Sequence, residues 1–480
     1  MTAADPISSS VRPRSSGAET SRASDGGGLP AGVLDALIAE HDRVRTPRAR
    51  MLWDYYHNPL TLDSASRRGG YRLGQERGLP ARLWGSGAVT SGAGAAGGRD
   101  GVGVAEIVIE NDIAWRVHAM VDYLFGRPLR IVSLAADAAR RGLIERALEA
   151  AWDASGGAGL LQDAALLGHV YGYVDLLVRY AGTPREIAGD PDFGTRDEPG
   201  MTAGAGSEAA VLSTARRVRI DVIEAERGVS LVSPDDYREL DAYVLRVLHR
   251  EPGSPRATMT TEVLTPERRR VLTSDVSNLA AGTGGAAGTG GAAGAEGPRR
   301  VMDQEPNQVC PGRVPVVHIQ NLPLPLRYEG QSEVEPLVPL QDELNTRLSD
   351  RASRVTMQSF KMYLAKGLEG FEKAPVRPGT VWQTDNPGAS IEAFGGDAAS
   401  PSEESHIAEV REALDKASGV PPLATGVVQA KVGNLSSENA LRLTLQGLLS
   451  KTMRKRLTYG RGIERVCELV LSALHEQGVL

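Results

Sequence analysis

The chain has only two cysteines among 480 residues, few aromatics at 5%, and no apolar run able to cross a bilayer. Cys310 and Cys467 lie far apart and match no metal-ligand or Cys-x-x-Cys spacing, so two free thiols in a reducing compartment account for them. The most apolar window, 159–178, is broken by Asp163, His169 and Asp175, groups that hydrocarbon would leave unpaired, so no membrane partner is expected. No amino-terminal stretch joins a charged start to an apolar core, which argues against secretion.

Motifs for enzyme chemistry are equally scarce. No G-x-x-x-x-G-K-[ST] occurs, so the chain is not itself an ATP-driven motor. Gly92–Gly97 spells G-x-G-x-x-G, but inside a Gly/Ala tract that opens no helix to receive a phosphate. Asp192-Phe193-Gly194 lacks every other part of a kinase site. The 8 histidines stand singly, none in H-E-x-x-H or beside a cysteine at ligand spacing. Adjacent carboxylates, Asp342/Glu343 and Glu403/Glu404, point in different directions on a helix and read as face charge or capping. We therefore expect no catalytic, metal or cofactor site.

Net charge is −6, which argues against a protein that grips DNA through many phosphate contacts, but not against one that merely surrounds it. Gly is abundant, at 55 residues, and concentrates in tracts that bury no core: 1–30, 86–103, 182–207 and 279–297. The first is expected to be a disordered tail, and the last two disordered insertions.

Between the tracts, periodicity predicts an α+β chain. A helix is expected over 30–45, stopped by Pro47; another over 107–125, ended by Gly126-Arg127-Pro128; and a helical pair, 143–152 and 160–169. Leu129–Val132 and Tyr171–Tyr180 read as strands, and 218–317 as a β-rich region. Pro339 opens a helix to about Phe360 with Leu340, Leu344, Leu348, Ala352 and Val355 in one stripe, a rod of about 31 Å. Met362–Leu364, Thr380–Thr384 and Ser390–Phe394 read as short strands. A capping box, Ser400-Pro401-Ser402-Glu403, opens the next helix, which carries Ile407, Val410 and Leu414 and ends at Gly419. A last helix starts near Ser436, runs to Leu457, and resumes after Gly460–Gly462. Its basic run, Lys451, Arg454, Lys455 and Arg456, reads either as a DNA-facing patch or, with more weight, as a solvated or salt-bridging face.

Several segments, in order, resemble siphophage-type portal proteins, the head–tail connectors of tailed bacteriophages. They are Asp122-Tyr123-Leu124-Phe125-Gly126-Arg127-Pro128; 168–180 with Ser233-Pro234-Asp235-Asp236; Val314–Asn321 with Gly330-Gln331-Ser332-Glu333; Leu340–Asp350, similar to L-x-D-x-x-N-x-x-x-S-D; and Ser418–Pro422 with Asn434–Leu441.

The resemblance implies a portal fold assembled as a ring, usually of twelve copies. Its parts would be a wing (31–333), a first stem helix (334–360), a clip (361–400), a second stem helix (401–418), a tunnel loop (419–435), and a long wing helix with a short helical crown (436–480). It implies a channel for double-stranded DNA, faced by Gln429, Lys431 and Asn434. The terminase large subunit and later a head-completion or adaptor protein would dock at the clip, where Lys361, Tyr363, Lys366 and Trp382 are candidates. Major capsid and scaffolding proteins are further expected partners. The location would be the portal vertex of the virion, after assembly in the host cytoplasm. Leu340, Leu344, Leu348, Asp350, Arg351 and Val355 are the expected subunit-interface residues, on the reasoning that a lone amphipathic rod must bury its stripe against copies of itself. A head–tail adaptor or minor head protein is the alternative. A nucleic-acid-modifying enzyme would need a metal or nucleophile cluster that the sequence lacks.

Overall fold

The computed structural model describes residues 29–480 except 63–69, 81–82, 84–105, 182–206, 237, 251–255, 277–296, 360–361, 367–387, 389, 395–400 and 426–437. The amino-terminal tail, both insertions, the predicted strand at Thr380–Thr384, the capping Ser400 and most of the tunnel-loop segment lie outside the described residues.

Two main antiparallel sheets lie among helices, after a short antiparallel pair of β1 (Leu60–Leu62) and β2 (Tyr71–Leu73). The larger has strands β5 (Gly228–Val232), β6 (Leu240–Arg250), β7 (Ala257–Leu264), β8 (Arg268–Asp275) and β9 (Arg300–Pro306), paired in sequence order. Helix α1 (Ala31–Glu40) lays Leu34 and Ile38 on Val229, Val244, Val263 and Leu272 of this sheet. The smaller sheet runs β10 (Val316–Gln320), β3 (Tyr173–Tyr180), β4 (Val218–Ile223). Its central strand is covered on both sides, which is why 173–178 are all buried and the segment reads as a nearly continuous apolar run. One face meets α4 (Ala138–Ala154), α5 (Gly157–Tyr171), α6 (Glu208–Ala215) and the last helix; the other meets Tyr243 and Leu264 of the larger sheet. The polar exception, Asp175, accepts hydrogen bonds from the Tyr243 and Tyr328 hydroxyls, both at 2.9 Å, and contacts His318 Nδ1 at 2.7 Å.

Three boundaries differ from expectation. Pro47 does not stop the first helix: a π turn, His41–Arg45, lets the chain pass into α2 (Thr46–His57) with Pro47 in its first turn, where no amide donor is needed. Leu129–Val132 forms no strand, having no ladder partner among the described residues; Leu129 and Val132 are exposed. Helix α3 (Ala114–Phe125) starts later than expected, because 106–111 lies outside any helix, 112–113 forms a turn, and alternate amides of this stretch are bound elsewhere.

They are bound by α7 (Val338–Ser359), the predicted rod. The amides of Glu106, Val108, Glu110 and Asp112 donate to Ser353 Oγ (2.9 Å), Ser349 Oγ (2.9 Å), Asn345 Oδ1 (3.0 Å) and Gln341 Oε1 (3.1 Å). Four helical residues rise about 6 Å and two extended residues about 6.6 Å, so a side chain every fourth position meets every second amide with little drift. Asn345 Nδ2 continues inward to Gln75 Oε1 at 3.0 Å, and Gln75 Nε2 reaches Tyr55 O at 2.7 Å. Asn345→Leu orphans the Glu110 amide and the Gln75 carbonyl, and should lower the unfolding free energy by about 3 kcal/mol. Thr356→Ala, at an exposed position of the same helix, should stay within about 0.5 kcal/mol of wild type in the same denaturant titration.

Candidate functional site

The rod and the helix after it form a hairpin inside one chain. Helix α8 (Pro401–Ser418) buries Ile407, Val410 and Leu414 in the same cluster as Leu344 and Leu348 of the rod and Leu337 of the turn before it. Leu344 is fully buried and Leu348 nearly so, with Leu340 packed beside them. This corrects the expectation that the stripe must be buried by other copies: within the chain α8 covers Leu344 and Leu348, while Val355 stays exposed. Of the expected interface residues, Arg351 and Val355 are exposed and Asp350 is half-buried. Between the two helices, β11 (Met362–Lys366) and β12 (Ser390–Phe394) pair antiparallel, with Tyr363 opposite Ala393 and Lys366 opposite Ser390. Lys361 and Trp382 lie outside the described residues.

Polar contacts fix the hairpin at several levels. His406 Nε2 lies 3.0 Å from Glu343 Oε1, and Arg354 meets Glu403. The Arg116 guanidinium, fully buried, joins Asp112 at 3.0 Å to Asp415 at 2.5 Å and stacks over Trp115. Arg411 adds a contact to Glu110 at 2.7 Å.

Helix α9 (Glu438–Glu476) is continuous over 39 residues, about 58 Å. The expected break at Gly460–Gly462 is absent. Gly462 instead admits Ile319 of β10, whose side chain would lie 2.4 Å from a Cβ at that position. Lys455, in the basic run that the sequence reads as a DNA-facing patch or, with more weight, as a solvated or salt-bridging face, is buried, with its ammonium 2.6 Å from Glu333 Oε1. Lys451 meets the other oxygen of Glu333 and donates to Ser418 O, at the carboxyl end of α8, at 2.9 Å. In the described chain these two lysines are therefore engaged internally, while Arg454 and Arg456 are exposed. Gln429, Lys431 and Asn434 lie outside the described residues.

Glu333 belongs to Gly330-Gln331-Ser332-Glu333, and the geometry explains each restrictive position. Gly172, at φ +92°, and Gly330 pass so closely that a Cβ on either would lie 2.4 Å from the other's carbonyl oxygen. Ser332 Oγ donates to Val170 O at 2.6 Å and accepts from the Val334 and Glu335 amides, capping the turn into α7. The Glu333 amide donates to His169 O at 2.9 Å. Burial alone would push the Glu333 carboxyl up, but Lys455 and Lys451 outweigh it and hold the group below the usual carboxylate range. Burial pushes Lys455 down to about 8 and His169 down to about 3, so His169 is neutral at physiological pH.

A cavity of about 690 Å³ opens between the sheets, with Arg179, Arg269, Asp221 and Glu262 on its walls. These charges are spent on one another: Arg179 lies 2.9 Å from both Asp221 and Glu262, and Arg269 lies 2.6 Å from Glu262. Among the described residues no group of three or more His, Cys, Asp or Glu side chains could hold a metal, and no helix is long and apolar enough to cross a membrane.

The chain is thus a mixed α/β fold with a helix–hairpin–helix arm tied to one long helix. The family described as Phage portal protein, SPP1 Gp6-like matches residues 117–478. The chain belongs to that portal protein family. Two solved structures align with it: a chain from the neck of an empty GTA particle computed with C6 symmetry, 15% identical over 70% of this chain and 78% of that one, TM-score 0.37; and one from the virion of a native gene transfer agent particle, 12% identical over 70% and 81%, TM-score 0.32. Among curated proteins no sequence matches.

Sequence reasoning missed two parts of the site: the Glu333–Lys451–Lys455 node and the polar ladder on α7. The ladder has a legible signal, four hydrogen-bonding side chains at strict spacing of four (Gln341, Asn345, Ser349, Ser353). The node has none, since its members are over 100 positions apart. Glu333→Gln should cost about 3–5 kcal/mol by leaving two ammonium groups against a neutral amide, and the triple change Glu333→Leu, Lys451→Met, Lys455→Met should regain most of it. The folded carboxyl binds its proton less tightly than the unfolded one, so its contribution is complete above the ordinary value of 4.5 and fades as pH falls through the lowered folded value. The stability–pH curve of Glu333→Gln should lack that part of the acid limb.

Proposed function

We propose that copies of this chain close into a ring, of about twelve subunits, at one vertex of a phage capsid, and that double-stranded DNA enters and leaves through its centre. The observation that carries the reading is the order helix, β-hairpin, helix, long helix, in a chain whose match to the portal family spans all four. The α7–α8 arm serves as the stem, and β11–β12 as the clip against which the terminase large subunit and then a head-completion protein dock. Tyr363 and Lys366 on β11, with Lys361 and Trp382, are the docking candidates. Short paired strands with open edges can add strands from a neighbour or a partner.

Gln429, Lys431 and Asn434 face the DNA in this reading. One lysine per subunit spreads weak attraction around a ring without creating a deep binding well, which suits a channel that DNA must traverse. Major capsid and scaffolding proteins surround the ring in the virion. The role is structural.

With the Leu344–Leu348 stripe covered inside the chain, stem contacts between copies fall to the outward Asp350, Arg351 and Val355. Single-particle imaging with native mass measurement of the full chain should show annular particles of near twelve subunits; a chain that stays single under all conditions sinks the reading. Lys431→Ala should reduce DNA retention and flatten its dependence on salt, measured in packaged particles.

A further inference from the structure

The amino-terminal half of α9 has two apolar faces, and the body of the chain uses one. Leu448, Thr452, Tyr459, Ile463, Val466 and Val470 point inward and are buried. On the opposite side Leu443, Gln446, Ser450, Met453 and Leu457 recur at spacings of three, four, three and four, the repeat of a helix seam that packs lengthwise against another helix. Leu443 is 70% exposed, Met453 58% and Leu457 67%. The seam extends about 21 Å. Exposed arginines flank it: Arg454 and Arg461 along one side, and along the other Arg442, paired with Glu438 at 2.8 Å, and Arg456, which donates to Tyr123 O at 3.0 Å.

A surface with this complement exists on the same chain, where one copy cannot bring the two together. The outward face of α8, opposite its buried Ile407, Val410 and Leu414, carries Ser405, Ala408 and Glu412 at seam spacing, flanked by Glu404 and Glu409; Glu412 is paired with Lys416 at 3.0 Å, so Glu404 and Glu409 are the carboxylates the face offers. Small side chains there leave room for leucine and methionine knobs, and the carboxylates match the arginines. Both faces stay open in the described chain, so mutual coverage requires a second copy. Because the two patches differ, the contact is head-to-tail, the type that generates rings.

We propose that the Leu443–Met453–Leu457 seam of α9 docks on the acidic outer face of α8 in the adjacent copy, an inference that rests on the ring reading above. The competing occupant is DNA, suggested by the arginines alone. The row of leucine and methionine between them favours protein, since phosphate contacts gain nothing from apolar side chains.

The test uses the full chain and native mass measurement at fixed protein and salt concentration. Leu443→Asp with Met453→Asp should shift rings to single subunits at least tenfold, with unchanged thermal unfolding of the subunit because both positions are exposed. Arg454→Glu with Arg461→Glu should weaken assembly, as should Glu404→Arg with Glu409→Arg, and all four changes together should restore it. Rings that persist in the Leu443/Met453 variant, or failure of the fourfold variant to recover, overturn this interface while leaving the ring itself standing. Loss of duplex DNA binding with rings intact assigns the face to DNA and also overturns it. Absence of rings from the wild-type chain brings down both readings.

Discussion

A single buried carboxylate holds the architecture together. Glu333 sits where α5 has ended, α7 is about to begin and α8 terminates, and it receives two ammonium groups from successive turns of α9. An unpaired charge at this depth would cost several kcal/mol, so each element is held where it keeps the others satisfied. Lys451 also reaches the carboxyl end of α8 through Ser418 O, which places the foot of the arm at a fixed level along the long helix. Hydrophobic contact gives adhesion here, but the charge node gives register. An apolar face could slide by a turn, whereas a lysine pair that must share one carboxylate cannot.

Register of the arm is set a second time by the ladder on α7. Helix and extended chain have pitches that agree only when every fourth side chain meets every second amide, so the fit extends over the four bonds from Asp112 to Glu106. The ladder occupies one face of the rod, and Ile407, Val410 and Leu414 of α8 cover another. What is left outward is short and mostly charged. The rod is therefore held rigid within one subunit, and in the proposed ring Arg351, Val355 and the adjoining charges are what it presents to a neighbour.

Much of this was legible in the sequence. Periodicity found α7 and α8 within a residue or two, because Pro339, Pro401 and Gly419 punctuate strong apolar stripes. The buried strand β3 followed from its apolar run. The misreadings share a cause. The sequence predicts a helix over 107–125, yet 106–112 stays outside the helix because α7 offers its amides better partners than a helix would. Gly460–Gly462 carries the composition of a break, yet Gly462 is an admission point for Ile319 within an unbroken helix. Lys451 and Lys455 look like surface charge, and nothing local reveals that Glu333 waits more than 100 positions upstream. In each case a tertiary partner overrode a correct local tendency. The same holds for the stripe on the rod: its need for cover was readable, but not that α8 supplies the cover.

That last correction relocates the assembly problem. If the rod had been uncovered, its leucines would have driven association by themselves and a misfolded or early subunit would aggregate through them. With Leu344 and Leu348 already buried, the apolar surface left open on the long helix is interrupted by Gln446 and Ser450 and bordered by arginines. In the proposed ring such a surface meets its neighbour weakly and selectively: the polar interruptions limit affinity, and the arginines reject any face that is not acidic. On that reading the same geometry repeats around a closed circle, where each added contact makes closure more favourable.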